Sequence, residues 1–213
     1  MAQGFDRLLR ITPKEAGLTR NIPTGTAGED AAIQVEASDE VLMARIAAGD
    51  EQAFSQLVTR HADRFLGLAQ RMLGNRDEAQ DALQDAFSRL WLKASQFDPK
   101  AARFTTWFYR VVTNGCLDRL RKPRPLALAE DWDTADDSAS ADEIMEKRQH
   151  GDAVRAALKT LPERQRLALS LCYFDELSNQ EAAEIMKISI KALESILVRG
   201  RRALRSHFMK GRH

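Results

Sequence analysis

This sequence predicts an all-α chain: two small helical domains joined by an acidic, flexible linker. Three observations carry that expectation. From Ser38 onward, apolar residues recur at helical spacing between well-placed capping residues. No segment of useful length alternates at the period of a β-strand. Between Pro125 and Glu146 there are eight acids and no Lys or Arg, in a stretch rich in Asp, Ala and Ser. Such a composition favours an extended tether over a packed domain.

The elements follow in chain order. Residues 1–38 are punctuated by Gly4, Pro13, Gly17, Pro23, Gly25 and Gly28 and keep no amphipathic face, so they read as a disordered extension. Ser38 is placed to cap a helix from Asp39 to Ala48, and Gly49 to end it. Asp50 is placed to cap a longer helix to Leu73, with Gly74 at its C-terminus. Here His61 falls on a polar face and is expected to be solvated. Asn75 can cap the helix from Arg76 to Ser95, whose inward residues include Ala79, Leu83, Phe87 and Leu90.

That helix carries Asp77, Glu78, Asp81 and Asp85 before its next base, Arg89. Acids in the first turn favour the helix dipole, which accounts for Asp77 and Glu78. The effect fades within a turn, so Asp81 and Asp85 need another reason.

The next helix, with Thr105 as its expected cap, holds Phe104, Trp107, Phe108 and Tyr109 within six residues. One buried stripe does not accommodate all four, so some are expected to face out beside Arg110, Arg119, Arg121 and Lys122. Exposed rings among cations suit single-stranded nucleic acid, where rings stack on bases and cations hold phosphates. The competing reading is an aromatic core helix.

Beyond the linker, helical pattern resumes near Ala141 and runs to Thr160, breaks at Leu161-Pro162, and restarts with Leu167, Ala168, Leu171 and Phe174 inward. Ser178 and Glu181 have capping-box spacing, and Ser189 can cap one more helix. In that last helix Ile190, Leu193, Ile196, Leu197, Gly200 and Leu204 share one side. Lys191, Ser195, Val198, Arg199, Arg202 and Arg205 fall mainly on the other. A short helix, a tight turn and a helix with a basic outer face make a helix-turn-helix.

Overall charge is +1, but it is unevenly spread: Ser189–His213 carries seven Lys/Arg against one acid. Cys116 and Cys172 form neither a disulfide framework nor a metal-ligand spacing, and suit two reduced thiols in the cytosol. No apolar run has the length of a membrane span or signal core, so a cytoplasmic protein without membrane insertion is expected. His61, His150, His207 and His213 are scattered, and no catalytic grouping, metal site, cofactor motif or small-molecule substrate site is readable. An enzyme is not expected.

Taken together, five motifs in order resemble an extracytoplasmic-function (ECF) sigma factor of the sigma-70 family, over about Asp39 to Phe208. They are Ala53-Phe54-Ser55-Gln56-Leu57-Val58, the run Asp77 to Phe87, Phe104-Thr105-Thr106-Trp107-Phe108-Tyr109-Arg110, Leu161-Pro162-Glu163-Arg164-Gln165-Arg166, and the helix-turn-helix. The resemblance implies a region-two domain over 39–123, the linker over 124–146, and a region-four domain over 147–213. It implies a transcription initiation factor that binds core RNA polymerase and promoter DNA. Asp77, Glu78, Asp81, Gln84 and Asp85 would meet the clamp helices of the β′ subunit, and region four the β flap. Phe104, Trp107, Phe108, Arg110, Asn114, Cys116, Arg119, Arg121 and Lys122 would open and read the downstream (minus-ten) element. Within that set, Asn114 to Leu117 falls on the family's base-capturing loop. Lys191, Glu194, Ser195, Val198, Arg199 and Arg202 would read the upstream (minus-thirty-five) element. The linker would thread towards the polymerase cleft, and an anti-sigma factor would hold the protein inactive. Two features depart from the pattern: Glu194 and Ile196 stand where many relatives carry a basic residue, and the extension over 1–38 is unusual. The alternative is a sigma mimic that sequesters an anti-sigma factor without touching DNA.

Overall fold

Polar side chains at the helix ends decide where most of these helices start. The structure, a computed structural model, describes residues 37–121 and 154–210. The extension, the linker and Lys122 therefore lie outside the described residues, apart from the last residues of the extension. Helix α1 (Asp39–Ala47) begins where Ser38 Oγ accepts the amide of Val41. Helix α2 (Glu51–Leu73) begins where one Asp50 oxygen accepts the amides of Gln52 and Ala53 at 2.9 and 3.0 Å. It ends at Gly74, whose φ of 68° lies in the left-handed region that glycine tolerates. Asn75 then caps α3 (Arg76–Lys93) through the amide of Glu78 at 2.9 Å. Such a cap is worth about 1 kcal/mol. A short 3-10 turn, Ala94–Gln96, closes α3.

Helix α4 (Phe104–Arg121) starts one residue earlier than its expected cap. Thr105 does not cap it. The first free amide, that of Phe104, is taken by Glu40 Oε1 of α1 at 3.3 Å, and Trp107 N bonds to Arg103 O. A tertiary contact thus supplies what a local side chain was expected to supply.

Helices α1 to α4 pack on one another around Leu42, Leu57, Phe65, Leu68, Met72, Leu90, Phe104 and Phe108, all fully buried. His61 corrects the sequence expectation. It is only 6% exposed, packed against Phe104, with Nε2 2.9 Å from Asp39 Oδ2. Arg60 holds the other Asp39 oxygen at 2.7 Å. Burial alone would raise the Asp39 pKa. The hydrogen bonds from His61 and Arg60 outweigh it and hold the carboxyl below its usual range. Helical periodicity put His61 on a polar face because Asp39, its partner, comes from another helix.

The second half starts with a helical stretch over 154–159, then α5 (Glu163–Leu169) behind Pro162. A wide π turn, Ser170–Phe174, follows. It breaks the expected inward series: Leu167, Ala168 and Leu171 are buried, but Phe174 is turned out and 40% exposed. A π turn adds a residue per turn, so the fourth apolar position no longer falls on the inner face. Helix α6 (Asn179–Met186) and helix α7 (Ile190–Lys210) complete the half. No strand occurs among the described residues. The two halves are in contact: α5 and the π turn meet α2, and α6 lies against α4.

Candidate nucleic-acid interface

The helix-turn-helix is built from local chemistry. Ser178 Oγ accepts the amide of Glu181, and the Glu181 carboxylate takes the Ser178 amide at 3.0 Å and its hydroxyl at 2.7 Å. These bonds hold the Glu181 pKa below the usual range. Helix α6 stops at Lys187, whose φ of 52° is left-handed. Ser189 Oγ then accepts the amide of Ala192 and starts α7. Leu193, Ile196, Leu197 and Leu204 are buried. Gly200 sits where a Cβ would press on Leu169 Cδ1 at 3.0 Å, so α5 and α7 approach closely because position 200 has no side chain.

Lys191, Glu194, Ser195, Val198, Arg199 and Arg202 are all exposed on one side of α7. Ile190, expected inward, is corrected: it is 46% exposed at the first turn, before the helix beds onto α5. Ile196 is core, so an apolar residue there is a packing demand and not an altered reading position. Two outer side chains fold along the helix: Ser195 Oγ donates to Lys191 O, and Arg199 Nε to Ser195 O. Glu194 is left as an acceptor amid cations.

The aromatic helix behaves differently. Phe104, Phe108 and Tyr109 are fully buried, and Trp107 is half-buried. Phe108 meets the rings of Phe65 at 4.7 Å, Phe87 at 5.0 Å and Phe104 at 5.5 Å. The expectation that Phe104 and Phe108 stack on bases is therefore corrected, because neither offers a surface. Trp107, edged by Phe97 at 5.7 Å, keeps one. Cys116 is also buried, and burial pushes its thiol up to about 12; it is a packed group, not a base contact. Burial likewise pushes Cys172 up to about 11. Residues 114–117 lie inside α4 and not in a loop, with Asn114 exposed.

The basic residues of α4 are engaged by carboxylates. Arg119 Nη2 lies 2.6 Å from Asp85 Oδ2. Arg110 Nη2 lies 3.1 Å from Glu184 Oε1 and donates to the Glu184 carbonyl at 3.0 Å. Arg121 is 3.9 Å from Asp118, with both side chains well exposed.

On α3, Asp77, Asp81, Gln84 and Asp85 are exposed and Glu78 is half-buried, opposite the buried Ala79, Ala82, Leu83 and Ala86. Sequence reasoning missed Leu92, which is 75% exposed. It continues the row Asp81, Asp85, Ser88 at helical spacing, and that register was the available signal. Also missed were Arg64 and Arg71 of α2. Arg71 Nη2 lies 2.6 Å from Asp175 Oδ1, and Arg64 donates to the Asp175 carbonyl at 2.9 Å. Nothing in the sequence pairs residues about a hundred positions apart. Burial raises the Asp175 pKa, with Arg71 and Arg64 opposing.

Among the described residues no group of three or more His, Cys, Asp or Glu could hold a metal ion, and no helix is long and apolar enough to cross a membrane. A family model for sigma-70 region 2 matches residues 57–125, and one for sigma-70 region 4 matches residues 151–204. The ECF RNA polymerase sigma factor SigW of Bacillus subtilis is 31% identical over 76% of this chain and 91% of its own. SigE of Mycolicibacterium smegmatis, another ECF sigma factor, is 33% identical over 83% of this chain and 71% of its own. Among solved structures, CnrH in complex with the cytosolic domain of CnrY shares 26% identity at a TM-score of 0.61, covering 81% of this chain and 97% of that one.

Proposed function

The chain belongs to the ECF sigma factors of the sigma-70 family, and from that premise we propose how its surfaces divide the work of directing RNA polymerase to promoters. The proposed units are 39–123 as region two and 147–213 as region four, with 124–146 between them. The exposed acids of α3, Asp77, Asp81 and Asp85, with the neutral Gln84 between them and Glu78 beside them, face the clamp helices of core polymerase, and Leu92 adds an apolar anchor at the end of the row. Region four faces the β flap. Trp107, Arg110, Asn114, Arg119, Arg121 and Lys122 serve the downstream element. The outer face of α7 enters the major groove of the upstream element. The factor acts in the cytoplasm, and a second protein holds it inactive; CnrH, solved with the cytosolic domain of CnrY, is a relative engaged by another protein.

One observation carries this reading: two oppositely charged helix faces, on α3 and α7, stand exposed in separate halves. Charged faces steer a partner of opposite sign and fix its register. The test reverses charge on α3. Asp81→Lys with Asp85→Lys should weaken binding to core polymerase at least tenfold in a competition assay. The circular dichroism should stay unchanged, since both side chains are exposed and the fold loses only the surface ion pair of Asp85 with Arg119. Unchanged affinity would assign this face another use.

A further inference from the structure

Arginines carry the polar part of the contact between the halves: Arg71 and Arg110 meet carboxylates of the second half, Arg64 donates to the Asp175 carbonyl, and Arg166 of the second half donates to the Met72 carbonyl of α2. Arg64 and Arg71 lie seven residues apart on α2, so they share a face about two turns apart. Arg110 lies on α4. All three are engaged by one short segment of the second half, Arg64 and Arg71 by Asp175 and Arg110 by Glu184. A carboxylate and a phosphate present the same acceptor chemistry to a guanidinium.

The seam is not a finished core. Arg71 Nε and Arg110 Nε are buried there without a hydrogen-bond partner among the described residues, and the Asp175 carboxylate is shared between Arg71 and the Tyr109 hydroxyl. Buried orphans weaken an interface that is meant to be permanent. A pocket of about 430 Å³ opens on the seam, bounded by Asp63, Arg64, Gly67 and Arg71 on α2 and by Phe174, Asp175 and Glu176 opposite. Closed, it holds three carboxylates against two guanidiniums. When the second half leaves, Asp175, Glu176 and Glu184 go with it, and α2 keeps two guanidiniums against Asp63 alone. Trp107 stands three residues before Arg110, on a neighbouring position of α4.

We propose that Arg64, Arg71 and Arg110 form a contact surface for the single-stranded DNA of the opened promoter, and that Asp175 and Glu184 occupy it in the closed chain. The proposal rests on the function above and adds Arg64 and Arg71 to the downstream contacts. It also makes the closed arrangement self-masking: the strand and the second half compete for the same guanidiniums. Cations for the phosphates and a ring for a base are what a sequence-tolerant single-strand surface requires, and Arg110 neighbours the half-buried Trp107 while Arg64 lies over Tyr109 of the same helix.

The test uses the full chain, a fluorescent single-stranded 20-mer of mixed sequence, and small-angle scattering to read separation of the halves. Asp175→Lys sets a cation against Arg64 and Arg71. It should enlarge the radius of gyration and raise affinity for the oligonucleotide at least fivefold. Glu51→Lys makes the same charge change at an exposed site in the first turn of α2, about 20 Å along the helix from Arg64, and should do neither. Adding Arg64→Ala and Arg71→Ala to Asp175→Lys should remove the gain while the chain stays open. Opening without the gain, or a gain that survives loss of both arginines, overturns the surface. A chain that stays closed in Asp175→Lys and also with Glu184→Lys added overturns the masking. Core-polymerase binding and upstream-duplex binding of the same variants report on the proposed function separately. They should persist whatever the arginines do.

Discussion

Helices α4 and α7 are both proposed to face nucleic acid, yet they are built in opposite ways. α7 keeps its jobs on separate sides: Leu193, Ile196, Leu197 and Leu204 pack, and Lys191 to Arg202 face out. α4 mixes them. Its rings are the centre of the first half's core, and its cations are tied to carboxylates of α3 and α6. A helix docked on one side can give the other to a ligand. A helix packed from several sides must share each residue between stability and function, so the same substitution has different consequences in the two.

The largest expected effect tests that sharing. Phe108→Ala should cost about 3–5 kcal/mol of stability, the usual range for truncating a fully buried ring. It should appear as a lowered denaturant midpoint with no DNA present. Trp107→Ala should unfold far less readily and instead reduce permanganate-detected opening, by the roughly 1–3 kcal/mol of one stacked base. Equal stability losses in both would erase the distinction and make all of α4's rings core.

Next comes the reading face of α7. A carboxylate among phosphates is tolerated where it accepts a hydrogen bond, and cytosine N4 is the major-groove donor that suits it. Glu194→Ala should relax preference at one upstream position by about 1–3 kcal/mol, leaving stability unchanged. Binding to single-base variants of the upstream duplex measures it. Arg202→Ala should be blander: weaker binding to all sequences alike, with the salt dependence flattened by about one unit of slope. If Arg202→Ala altered base preference while Glu194→Ala did not, the proposed rotation of α7 would be wrong.

The smallest effect lies behind the aromatic core, where Asp39 pins α1 to α2 through His61 and Arg60. Its pKa is lower folded than in an ordinary carboxylate. The stability it contributes is therefore present above the unfolded pKa and lost as pH falls through the folded one. In a pH series of urea melts, wild type should exceed Asp39→Asn near neutrality. That advantage should shrink below about pH 4, where carboxylates begin to protonate. Among the described residues no carboxylate ties α7 to another helix in this way, so exposed α7 variants should show no matching acid dependence.

What the sequence determined by itself was whatever depends on neighbours within a few residues. Ser38, Asp50, Asn75, Ser178 and Ser189 cap because capping geometry spans three residues. The two faces of α7 were legible because one docking partner leaves one helical period uncontested. Tertiary structure alone decided the rest. It paired His61 with Asp39, gave the amide of Phe104 to Glu40, buried Phe108, and set Asp175 on Arg64 and Arg71. The physical reason is common to all of these. Each depends on a partner from another helix, and periodicity records only that a side chain points to a given side, not which group will meet it there.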